Sequence, residues 1–157
     1  MVRRYLPITL TLYIAFVFIQ SLFFKFTDSP ETRYIFGTLD AWGASLGWPG
    51  LFAHDGIFSQ YVVGTSELIA STILLLALAP RLGWLRPFGA LLSLCVISGA
   101  ILFHLFTPLG VSVLNTDGTS DGGQLFALAC GVWVSAALLI WASRSTITAF
   151  LDRRRNA

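Results

Sequence analysis

The run YVVGTSELIASTILLLAL, residues 61–78, is apolar enough to enter a bilayer yet carries one carboxylic acid, Glu67. An ionisable side chain at the centre of a membrane helix costs about 2.5–3.5 kcal/mol on insertion scales. The acid must be paired or neutralised, and the remaining chain is read as the arrangement that does this. Three more apolar runs, residues 5–24, 88–106 and 125–142, contain no Asp, Glu, Lys or Arg. At ~1.5 Å of rise per residue, about 20 residues cross the ~30 Å hydrocarbon layer. The expected fold is all-α: an antiparallel four-helix transmembrane bundle with helices at about residues 5–26, 58–79, 88–106 and 122–143. It forms one membrane domain over residues 1–157.

Composition points the same way. The chain is 55% hydrophobic and 11% charged, with a mean hydropathy of +0.75, which excludes an ordinary soluble domain. Its basic residues form no stripe interleaved with aromatics, so no nucleic-acid partner is expected. Cys95 and Cys130 sit in apolar runs without a second Cys or His at ligand spacing. They read as small buried hydrophobes, and no metal site is expected. Arg3 and Arg4 resemble the start of a signal peptide, but the apolar run is too long. Bulky Phe23-Phe24-Lys25-Phe26 also stands where small cleavage-site residues would be needed, so an uncleaved anchor is expected.

The connection over residues 27–57 has a period of its own. Ser29-Pro30 is a capping residue followed by proline at the first helical position, and Ile35, Leu39, Trp42 and Leu46 recur at spacings of 4, 3 and 4. This predicts a short amphipathic helix that either lies at the membrane surface or folds back over the mouth of the bundle as a lid. Pro80-Arg81 stops the second crossing, and Gly83, Arg86 and Pro87 predict a compact turn. In the loop over residues 108–121, Val111 and Val113 alternate before Asn115-Thr116-Asp117-Gly118, an extended piece and a turn. Asp121 and Gln124 have the spacing of a capping box for the fourth helix, which is expected to continue past Arg144 toward Arg153-Arg154-Arg155.

By residue counting, Lys25, Glu67 and His104 all belong to the outer half of such a bundle and are the leading candidates for a ligand- or proton-binding site. Gln60, Gly64, Glu67 and Ser71 share one helical stripe. Ser93, Ile97, Ala100 and His104 share a second, and Gln124, Ala127, Gly131 and Ser135 a third. Small and polar stripes suit close helix contacts in lipid. His54, Asp55, Gln60, Asp121 and Gln124 are secondary candidates. Plain structural roles compete with each: an interfacial anchor for Lys25, a helix-end histidine for His104, a helix-to-helix hydrogen bond for Glu67, and turn chemistry for His54-Asp55-Gly56.

Lys25 at the end of the first run, Gly64-Thr65-Ser66-Glu67-Leu68 opening the second, and Ser98-Gly99-Ala100 before His104-Leu105 together resemble the DoxX-like family of small four-helix membrane proteins. The likeness covers roughly residues 16–142. It implies a redox-associated accessory subunit, with quinone as the cofactor class and an oxidoreductase as partner. Glu67 and His104 would then meet a quinone head group, with Phe23, Phe24 and Phe103 as apolar walls. A binding or transport module for a small molecule or ion entering from the outer face is the competing expectation. The other expected partners are the lipid bilayer and a second copy of the chain. The sequence has no haem-ligand pair at matched depth, Cys cluster, dinucleotide loop or nucleophile elbow, so no self-sufficient catalytic motif is read.

Basic residues set the expected orientation. Four crossings place Arg3, Arg4, Arg81, Arg86, Arg144, Arg153, Arg154 and Arg155 on one side, and only Lys25 and Arg33 on the other. Both termini are therefore expected in the cytoplasm, with loops 27–57 and 108–121 outside the cell membrane. An impermeant thiol reagent added from outside should label Ser120→Cys and leave Asn156→Cys unlabelled. The reverse pattern inverts this topology.

Overall fold

A computed structural model describes residues 2–115, 117–144 and 148, with backbone alone for residues 2–4. Among the described residues five α-helices follow one another: α1 (Val2–Phe26), α2 (Pro30–Ser45), α3 (Gln60–Leu76), α4 (Arg86–Phe106) and α5 (Gln124–Ala142). A 3-10 helix at Pro80–Leu85 stands where the compact turn was expected. No strand forms among the described residues, and the loop before α5 makes a single antiparallel bridge between Leu114 and Ser120. The expected continuation of the last helix to Arg153-Arg154-Arg155, and Thr116 in the turn, lie outside the described residues.

Among the described residues, three spans are long and apolar enough to cross a membrane: Tyr5–Phe26, Pro80–Phe106 and Gln124–Ala142. Only 33%, 28% and 28% of their most apolar windows are buried within the protein. The remaining faces are also hydrophobic, as Leu12, Phe16, Ile19 and Phe23 on α1 illustrate. Apolar surface of this extent is uncovered in water but solvated in lipid, so these helices mark a chain embedded in a bilayer. Helix α3 is equally apolar but has 17 residues, shorter than the expected 58–79. Ser59 caps its start, accepting a hydrogen bond from the Val62 amide at 3.4 Å. At its far end Pro80 drives Ala79 to an extended ψ of 133°, as proline does to the residue before it. Proline in the first turn of α4 is tolerated because its missing N–H has no intrahelical partner there, so that helix begins at Arg86.

Helices α1, α3, α4 and α5 share one core. It contains Ile14 and Phe18 from α1, Leu74 from α3, Ile97 from α4, and Val132 and Leu139 from α5. Helix α1 packs on α3 and α5, and α4 packs on the same two. The stripe on α3 is buried as expected at Gln60, Gly64, Glu67 and Ser71. On α4, Ser93, Ile97 and His104 are buried. The stripe expected on α5 is buried only in its second half: Gln124 and Ala127 are exposed, Gly131 is half-buried and Ser135 buried, and the full buried face is Ala129, Val132, Ser135, Ala136 and Leu139. A helix that is apolar all round has no polar side to identify its interior face, so periodicity in α5 carried little information.

A second cluster closes one end. Leu39 of α2, Phe52 of the following loop, and Leu109 and Val113 of the loop before α5 are buried together, with Ile35, Trp42 and Phe103 against them. The predicted lid helix is therefore present, although Leu46, the last residue of its apolar series, is exposed as the C-cap. Asp40 holds the lid from its polar side, accepting the Phe52 amide at 3.1 Å.

Helices α3 and α4 meet at Gly89, where an added Cβ would lie 2.9 Å from Leu74 Cγ and 3.0 Å from Ile73 Cγ2. At Gly99 of the same helix an added Cβ meets nothing within 4 Å. Gly89→Ala should lower stability by about 1–3 kcal/mol, the usual cost of overpacking, in a denaturant titration in detergent. Gly99→Ala should leave it unchanged or slightly higher.

Candidate functional site

The last turn of α1 and the second turn of α3 build the charged site. Gln60 fixes their relative height: its Nε2 donates to the Lys25 carbonyl at 3.0 Å and to Asp28 Oδ1 at 2.9 Å. The Lys25 carbonyl is one of those a helix leaves unpaired at its C-terminus, so Gln60 acts as a cap supplied from another helix. Asp28 turns the chain with φ 51°, a left-handed conformation that Asp tolerates better than most residues. The Ser29 amide then bonds back to the Phe24 carbonyl at 3.0 Å, the long bond of a Schellman end.

Gln60 and Glu67 are seven residues apart, or ~10 Å along α3, and the two side chains close that gap. Helical Cα–Cβ bonds tilt toward the N-terminus. Helices α1 and α3 meet end to start, so Lys25 leans inward along α1 while Glu67 leans outward along α3. Lys25 Nζ reaches Glu67 Oε2 at 2.9 Å and Oε1 at 3.1 Å. Ser21, one turn before Lys25 on the same face, completes the group: Nζ donates to Ser21 Oγ at 2.8 Å, and Ser21 Oγ donates to Glu67 Oε2 at 2.6 Å. The three bonds form a closed ring in which the hydroxyl is both acceptor and donor. The side chains of Lys25 and Glu67 are only 15% and 7% exposed. Gly64 lies against the lysine stem, whose Cδ would be in ordinary contact, 3.4 Å, with a Cβ placed there.

Ser21 was not among the residues singled out from sequence, although its i, i+4 relation to Lys25 is the signal that finds it. One turn beyond Glu67, the Ser71 hydroxyl is buried with no hydrogen-bond partner among the described residues.

His104 is held by other groups. Its Nδ1 lies 2.6 Å from the Gly110 carbonyl, and its ring meets Phe126 edge-on at 5.7 Å. A carbonyl oxygen only accepts, so Nδ1 carries the proton and Nε2 is the ring nitrogen left over. Gly110 presents this carbonyl from a left-handed conformation, φ 70°, that suits glycine. Lys25 and Glu67 are thus brought into contact, while His104 is tied to the loop before α5.

Phe23 and Phe24 do not form walls around the pair. Both are exposed and stack edge-to-face on each other at 5.9 Å. Phe103 packs into the lid against Phe52 at 5.1 Å.

The secondary candidates have local partners. His54 is exposed, edge-on to Tyr61 at 4.6 Å, and Asp55 beside it is exposed. The expected capping box does not form: Gly123, not Asp121, is the N-cap, with no side-chain capping bond, and Gln124 is exposed at the first helical position. Asp121 serves the same end from two residues further back, accepting the Leu125 amide at 3.0 Å, Gly123 at 2.9 Å and Val113 at 2.8 Å. Partial burial pushes its pKa up, but these amides and the Ser112 hydroxyl outweigh that and hold it below the usual carboxylate range. Hydrogen bonds from Thr119 lower Asp117 in the same sense.

No family model, curated protein or solved structure matches this chain. The class that fold and site define is an all-helical membrane-embedded protein with a buried lysine–glutamate pair at one end of its helices.

Removing one partner of a buried pair leaves the other charge uncompensated, which costs about 3–5 kcal/mol, whereas replacing both is often nearly neutral. Lys25→Met alone should therefore destabilise the protein by that amount in detergent unfolding. Adding Glu67→Leu should recover most of the loss. Equal stability of Lys25→Met and wild type would show that the pair contributes little to the fold.

Proposed function

We propose that this protein is a four-helix antiparallel transmembrane bundle of the DoxX-like kind, with both termini cytoplasmic and the lid outside. In this reading it is an accessory subunit of a redox complex, and Lys25, Glu67 and Ser21 form the polar site that meets a quinone head group. The observation that carries the proposal is the buried Lys25–Glu67 pair. Ionisable groups within a membrane are costly, and function is the default reading for them.

The pair offers both elements that quinone chemistry needs. The Lys25 ammonium can donate to a quinone carbonyl, and the Glu67 carboxylate can accept from a quinol hydroxyl. Ser21, bonded to both, can pass a proton between them. The buried and unpartnered Ser71 hydroxyl supports a place for one more oxygen atom, because almost all buried hydroxyls are hydrogen-bonded. Gln60 and Asp28 continue the polar groups from Lys25 toward the lid. Asp28 itself is partly exposed. That continuity favours a second reading, a site for a small polar molecule or ion entering from outside.

A photoreactive quinone analogue, applied to the protein in lipid vesicles, discriminates between the two. Labelling should fall on α1 and α3, be competed by unlabelled quinone, and drop by at least about tenfold, the equivalent of ~1.4 kcal/mol, in Lys25→Met/Glu67→Leu. Labelling that is unaffected by competition or by this folded double variant would remove the quinone reading.

A further inference from the structure

We infer that the exposed apolar side chains of residues 46–58, between α2 and α3, dip into the lipid of the outer leaflet, so that one edge of the lid faces the bilayer. This rests on the transmembrane reading of α3 but not on the quinone. Helix α3 has 17 residues, about 25 Å at the helical rise, against ~30 Å of hydrocarbon. A span this short leaves residues beyond its ends in apolar surroundings or makes the bilayer thin around it. At the inner end the chain continues as the 3-10 helix carrying exposed Trp84. At the outer end the residues available are Ile57 and Phe58.

Their exposure fits lipid. Ile57 is 69% exposed and Trp48 67%, with Leu46 and Phe58 also open. These four come from two arms of one closed loop: the Phe58 amide bonds the Leu51 carbonyl at 3.0 Å, and Gly56 packs so tightly on the Gly50 and Leu51 carbonyls that no Cβ would fit. The same segment sends Phe52 inward to the lid core, where it is buried. Its apolar residues are therefore divided between an interior already filled and an exterior with no protein cover. Asp55 is the one Asp, Glu, Lys or Arg between residues 41 and 66.

Lipid, not a protein, is the occupant because this surface continues into the lipid-facing helices. His54 meets Tyr61 of α3, and Tyr61 meets Phe26 of α1 at 6.1 Å between ring centres. Trp and Tyr at the border of a span are the residues that bilayer interfaces favour. A ligand of the Lys25–Glu67 site would then have an approach from the acyl-chain region beneath the lid edge, a route open to a lipophilic molecule.

The test uses nitroxide labels at Trp48→Cys and Ile57→Cys in a Cys95→Ala/Cys130→Ala background, reconstituted in phosphatidylcholine vesicles. Collision rates are measured with oxygen, which concentrates in lipid, and with a water-soluble nickel chelate. Phe16→Cys on the exposed face of α1 is the lipid reference, and Ser120→Cys the water reference. Both loop labels should show an oxygen-to-nickel ratio several-fold above that of Ser120→Cys and close to that of Phe16→Cys. A ratio matching Ser120→Cys, or exclusion of both reagents by a partner or second copy, overturns the inference. If Phe16→Cys also favours nickel, the transmembrane reading falls with it, and a lipid-like Phe16→Cys beside water-like loop labels removes this proposal alone.

Discussion

An ammonium and a carboxylate 2.9 Å apart, almost wholly shielded from water, fix the end of α1 against the beginning of α3. Attraction between such charges rises as the surroundings become less polar, and so does the cost of leaving either one alone. The neighbouring geometry follows from that constraint. Gln60 must sit level with the Lys25 carbonyl, and Ser21 must face the same way as Lys25. Asp28 then turns the chain sharply enough for α2 to start three residues beyond α1 and cross the mouth.

The lid is stabilised by a different principle. Its cluster of Leu39, Phe52, Leu109 and Val113 is separate from the core formed by the long helices, with Phe103 of α4 packed against it. Water can drive burial in the lid, whereas in a bilayer the long helices gain little from hiding apolar surface and depend on close packing and polar bonds. Asp40 and Asp121 suit the wet side of this division. Each is a carboxylate that accepts from loop amides.

Where a polar side chain broke an apolar run, the sequence was informative. Glu67 and Gln60 defined the interior face of α3, and Ser29-Pro30 located the start of α2. Residue counting put Lys25 and Glu67 in the same half of the bundle without giving their contact, because counting measures backbone height and omits the lean of side chains toward each helix's N-terminus. Helix ends were less legible. Helix α3 ends at Leu76 with Ala77 as its C-cap, ahead of the stop read at Pro80, and the start of α5 depends on a carboxylate two residues before its cap. The orientation of α5 was the least legible, since its lipid side and protein side are built from the same residue types. The tie between His104 and Gly110 was not legible either, because that contact depends on how the loop folds back.

The ring of Lys25, Ser21 and Glu67 also has a consequence for how the chain is made. Lys25 and Ser21 belong to the same helix and can bond as soon as α1 forms, while Glu67 is synthesised 42 residues later. The cation is thus already waiting, satisfied in part by its own helix, when the helix bearing the acid arrives. Order of synthesis makes α1 available before α3, and the lid, whose cluster includes Leu109 and Val113, can be completed only once those later residues have been made.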